Sequence, residues 1–200
     1  MVVYLAGCTI CTVSYAITVR AAIGLGPLFA VQDGVSQIAH ITLGHAVMVV
    51  GVVLLALSAA FGERPRVGTF AMPFIGGVIL DAVLPHVPSI HGIVWQLVAV
   101  VAATWAMCLG GALVISSEVG MAAIDGVMMG LHRLTGRTLA QVRLTMELSM
   151  LVGGWLLGGA IGVGTVITGA LVGPALQFWL GVLGRPATPD HRMSELTAAA

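Results

Sequence analysis

Gly62-Glu63-Arg64-Pro65-Arg66-Val67-Gly68-Thr69 returns 96 positions later as Gly158-Gly159-Ala160-Ile161-Gly162-Val163-Gly164-Thr165, with Gly62, Val67, Gly68 and Thr69 kept. Working outward, Gly24 falls on Gly120, Val31 on Val127 and Gly34 on Gly130. Thr42-Leu43 falls on Thr138-Leu139 and Gly77 on Gly173, and no insertion is needed. Most of these matches are Gly or Thr, residues that fix turns and close approaches of backbone. In an apolar chain, such a repeat points to a two-fold membrane protein, an architecture common among transporters.

Composition fixes the surroundings. Of 200 residues, 58% are hydrophobic and 8% charged, and the mean hydropathy is +1.07. A soluble domain carries about 25% charged residues to wet its surface. Here the outside must be membrane lipid. The net charge is zero, all eight cations are Arg, and no basic tract offers a surface to nucleic acid. Cys8, Cys11 and Cys108 all lie in apolar stretches. Cys8-x-x-Cys11 has thioredoxin-like spacing but sits in a span, so it reads as small residues on a helix face. Leu5-Ala6-Gly7-Cys8 resembles a lipoprotein cleavage box without its basic start, so neither lipidation nor signal cleavage is expected.

A crossing needs about 20 mostly apolar residues. Six segments qualify: 2–22, 40–61, 67–85, 92–115, 138–159 and 162–183. In lipid the backbone must satisfy its own hydrogen bonds, so all six are expected to be helices. Segments 24–38 and 120–136 are too short to cross and occupy equivalent places in the two repeats. They read as re-entrant or interfacial helices. Repeat one is then 1–85, repeat two 92–183, and 184–200 a flexible cytoplasmic tail. Three crossings per repeat make the second inverted relative to the first. With the N-terminus inside, Arg64, Arg66, Arg133, Arg137, Arg185 and Arg192 are cytoplasmic and only Arg20 is outside. This positive-inside bias predicts both termini in the cytoplasm.

Charges within spans are costly and therefore informative. Glu147 lies about 13 Å into the fifth span at 1.5 Å per residue, and Arg143 is four residues before it on the same face. The pair reads as a structural lock or as a substrate or proton site. Asp81, near the outer end of span three, marks a wet interface or a coordinating group. Asp125 opens the inner half-helix, where a carboxylate suits the positive helix end or attracts a cation. Tyr4, Cys8, Cys11, Tyr15 and Thr18 form one polar-tolerant stripe on span one, facing the bundle or lining a cavity. Gly154, Gly158 and Gly162 form a small-residue ladder, as do Gly169 and Gly173; Gly68 and Gly164 are further close-packing positions. The six histidines show no metal-binding pattern, and no metal or cofactor is expected.

The run Gly153-Gly154-Trp155-Leu156-Leu157-Gly158-Gly159-Ala160-Ile161-Gly162-Val163-Gly164-Thr165 resembles the signature of YczE-like proteins, in the YczE/YyaS/YitT group of bacterial integral membrane proteins. Gly24-Leu25-Gly26-Pro27, Val67-Gly68-Thr69 and Thr138 to Glu147 fit the same pattern, and the resemblance covers residues 5 to 180. The chain departs from it at Ala123 and Ile124, where members usually carry a Pro and a polar residue before the Asp matching Asp125. The resemblance implies a multi-pass inner-membrane protein of largely undefined activity.

Two functions compete. The first is a small-solute secondary transporter or transporter component, suggested by paired half-helices and by Arg143 and Glu147. The second is a non-transporting membrane partner or regulatory subunit, suggested by glycine ladders suited to a homo-oligomer or to another membrane protein. No nucleophile or metal constellation suggests an enzyme.

Overall fold

The computed structural model describes residues 1–63, 66–120 and 122–184. The described residues form eight α-helices and one turn of 3₁₀ helix: α1 (Val2–Ala21), α2 (Pro27–Ala39), α3 (Leu43–Ala60), α4 (Val67–Val83), the 3₁₀ turn Leu84–His86, α5 (Ile93–Ser116), α6 (Ala123–Thr135), α7 (Leu139–Leu156) and α8 (Val163–Val182). The bounds of α2 and α3 recur 96 positions on as those of α6 and α7.

Local chemistry sets those bounds. Thr42 caps α3 by accepting the His45 N–H, and Thr138 caps α7 by accepting the Gln141 N–H within a capping box. Left-handed turns end the helices in matching pairs: Ala22 with Glu118, His40 with Gly136, and Gly62 with Gly158. Gly62 and Gly158 have φ of 82° and 79°, which suits glycine at a helix exit.

α1 and α5 cross at the centre, where a Cβ on Gly7 would stand 2.7 Å from the Gly110 oxygen. Glycine at both positions allows this approach. α4 packs against α1 and α8 against α5. α2 lies on α7 and α6 on α3, so each short helix packs against the other repeat. Small residues make both contacts: Ala30 meets Gly154, and Ser58 meets Gly126. Buried side chains gather in two clusters, Tyr15, Ala16, Leu25, Ala30, Leu43 and Leu80 in one, and Tyr4, Cys8 and Val114 in the other. Large hydrophobics such as Val67, Phe70, Val78, Trp95 and Val166 stand exposed, as a lipid-facing surface requires.

Five helices are long and apolar enough to cross a membrane: α1, α3, α4 with its 3₁₀ turn, α5 and α8. The sixth expected span, α7, is 18 residues long but holds Gln141, Arg143 and Glu147 and is not among these five. The short helices begin at Pro27 and Ala123, three residues later than the sequence reading has them. Before α2, extended backbone carries Leu25, whose N–H donates to Ala160 O at 2.8 Å. The tail from Arg185 onward, and with it Arg192, lies outside the described residues, as do Arg64, Pro65 and Met121.

Candidate functional site

α2 and α6 both start in the middle of the bundle, and their first turns border two adjoining cavities. One, of about 210 Å³, is lined by Arg143 and Glu147 from α7, Asp125 from α6, the Gly26-Pro27 start of α2, and Thr168 and Gly169 from α8. Met107, Met128, Met146 and Met150 complete its wall with adaptable apolar surface. The other, of about 340 Å³, is lined by Cys8, Cys11, Thr12 and Tyr15 of α1, Phe29 and Gln32 of α2, Val47 and Gly51 of α3, and Pro73 and Gly76 of α4. Leu28, Phe29, Met107, Ile124 and Val172 border both.

The cavities correspond residue by residue at the 96-position spacing. Phe29, Gln32, Val47, Gly51 and Pro73 of the larger take the places of Asp125, Met128, Arg143, Glu147 and Gly169 of the smaller. One site therefore occurs twice, apolar in one repeat and charged in the other. The packing around them differs too. α3 lies along α4, with Gly51 against Pro73 and Gly44 against Gly77. α7 makes at most a marginal contact with α8, and among the described residues nothing approaches a Cβ placed on Gly169 or Gly173 within 4 Å. The charged cavity occupies the gap.

Arg143 Nε donates to Glu147 Oε1 at 3.0 Å, and the side chains are 45% and 37% exposed. That exposure leaves both ends of the pair within reach of a ligand. Asp125 is half-buried at the start of α6. Tyr15 is buried, with its ring stacked on Phe29 at 4.0 Å and its hydroxyl donating to Phe29 O at 3.4 Å. It stands in the apolar cavity.

Asp81 is elsewhere. It accepts from the Gly44 N–H at 2.8 Å and from the Thr42 hydroxyl, and His45 Nδ1 lies 3.3 Å away. It caps the start of α3 and fastens α4 to it.

The glycines divide. Gly154 meets Ala30 of α2. Gly68 and Gly164 are equivalent and bond equivalently: Gly68 N–H donates to Val119 O at 3.3 Å, and Gly164 N–H to Ile23 O at 2.8 Å. Gly162 abuts Ile23, where a side chain would collide with backbone. The expected ladder breaks at Gly158, which lies in the left-handed turn after α7, and Gly169 and Gly173 face open space.

Sequence reasoning overlooked Gln32, which is 5% exposed and whose Oε1 has no hydrogen-bond partner among the described residues. It also overlooked Asp33, whose Oδ2 accepts the Ala160 N–H at 2.9 Å. Arg133 pairs with Glu63 at 3.2 Å and donates to Phe61 O at 2.6 Å, tying α6 to the end of α3. Nothing in the sequence singles out Gln32, a lone amide whose counterpart is Met128.

A family model of unknown function, DUF6198, matches residues 1–180, and the chain belongs to that family. It is 29% identical over 184 residues to the uncharacterized membrane protein YczE of Bacillus subtilis, covering 88% of this chain and 83% of that one. It is 23% identical over 190 residues to the uncharacterized protein YyaS of the same organism, covering 93% and 94%. An uncharacterized protein of Haemophilus influenzae is 34% identical over 76 residues, covering 38% of this chain and 35% of that one. No solved structure matches.

Proposed function

We propose that this member of the DUF6198 family moves a small solute across the cytoplasmic membrane, as a secondary transporter or a component of one. In this reading α7 is the sixth crossing and both termini are cytoplasmic. The repeats are then inverted, and the two equivalent cavities open toward opposite faces. Half-helices that start near the bilayer midplane are how such folds hold ions and solutes. The single observation that carries the reading is the doubled cavity. Repeat one keeps about 340 Å³ of space although Gly51 packs on Pro73, and repeat two keeps about 210 Å³ beneath Arg143, Glu147 and Asp125. A purely structural pair would be expected to close on itself.

The test is thermal stabilisation of the purified protein across a solute and pH panel, beside Glu147→Gln. Stabilisation by one solute class that disappears in the variant supports transport. No stabilisation by any solute contradicts it.

α7 favours a second reading. It buries only Val142 and Gly154 and leaves Leu144, Leu148, Val152 and Trp155 exposed around a polar centre. A partner helix covering that face would make the chain a non-transporting partner or regulatory subunit. A stoichiometric membrane protein co-purifying from native membranes, lost on Leu148→Arg, is its mark.

A further inference from the structure

We propose that the larger cavity is a binding site for an uncharged, mostly apolar molecule bearing one hydroxyl, which Gln32 recognises. This deepens the transport reading by naming a solute class, although binding itself is measurable without transport. Three observations converge on it.

The first is Gln32. Its side chain lines the cavity, it is 5% exposed, and its Oε1 has no hydrogen-bond partner among the described residues. Burying an amide oxygen without a donor costs about 1–3 kcal/mol. The oxygen is closed off where it stands, so a ligand hydroxyl supplies that donor as the amide turns toward the cavity.

The second is the pair of helix starts. Leu28 and Phe29 of α2, and Ala123 and Ile124 of α6, lie in first turns that border the cavity. N–H groups at the start of a helix lack intrahelical acceptors and carry partial positive charge. A hydroxyl that donates to Gln32 keeps lone pairs for such groups, whereas a cation does not.

The third is the rest of the wall. Among the described residues no charged side chain lines the cavity; Tyr15, Phe29, Leu54, Leu80 and Leu176 do. The Thr12 hydroxyl proton is already used, donating to Cys8 O at 2.8 Å. An ionised ligand would find no countercharge. The cavity, at about 340 Å³, is roughly twice the size of one that holds benzene, about 150 Å³. A two-ring molecule is the right scale.

The experiment compares 1-naphthol with 1-methoxynaphthalene, which keeps the rings and the oxygen but has no donor. Saturable binding to the full chain in nanodiscs is measured against empty discs. Wild type is expected to bind 1-naphthol about tenfold more tightly, the worth of about one hydrogen bond. Gln32→Leu should bind both probes with equal affinity. Gly76→Leu, whose added Cβ meets only Thr12 Oγ1 at 3.5 Å, should fill the cavity and abolish binding of both. Gly173→Ala, at a position that lines neither cavity, should leave binding of both probes unchanged, and binding read without transport stands apart from any failure of transport. Binding of 1-naphthol no greater than to empty discs overturns the proposal. So does equal affinity of wild type for the two probes, or a tenfold preference that survives Gln32→Leu.

Discussion

The thiol of Cys11 donates to the carbonyl oxygen of Met107, its own counterpart 96 positions on, at 3.4 Å. Residues equivalent in two repeats meet only where the repeats cross, so this contact marks the centre of the molecule. Both residues also line the apolar cavity, and Met107 lines the charged one. The two halves of the proposed path thus adjoin at the point where the repeats touch.

The crossing depends on glycine. A Cβ on Gly110 would stand 2.7 Å from Cys11 Sγ and 2.8 Å from Gly7 O. Gly110→Val should therefore destabilise the protein by about 2–3 kcal/mol through overpacking. Gly173→Ala, at a position open to 4 Å, should change stability little. Thermal unfolding of the two variants in the same detergent checks the contrast.

Asp81 is expected to matter for stability rather than for the solute. Asp81→Ala leaves the Gly44 N–H without its acceptor, and a lost cap of this kind costs about 1–2 kcal/mol. Solute-dependent stabilisation should survive the substitution. Losing it would move Asp81 into the functional site.

Arg143 and Glu147 should show the reverse pattern. Exposed ion pairs contribute about 0–1 kcal/mol, so Glu147→Gln should unfold within a few degrees of wild type. Its response to solute should vanish. A large loss of stability with the response intact would make the pair a structural lock.

Much of the fold was legible in the sequence because periodicity and punctuation act locally. The 96-position repeat matched α2 to α6 and α3 to α7, and the Thr caps at 42 and 138 set two helix starts. The standing of α7 as a span was less legible. α7 resembles α3 by position, but its polar centre lowers its apolarity, and only packing shows that Arg143 and Glu147 line a gap. Gly169 and Gly173 misled for the same reason. Small residues permit close approach without requiring it, and whether α7 moves in against α8 is a tertiary matter. Gln32 escaped notice because a lone amide carries no motif, and its significance lies in burial without a partner.

The measurement that bears most directly on the central claim is solute uptake into proteoliposomes carrying the full chain, run across a solute panel beside Glu147→Gln. The account predicts saturable uptake of one solute class by wild type and none by the variant. Absence of uptake by wild type for every solute, or equal uptake by both proteins, would contradict it.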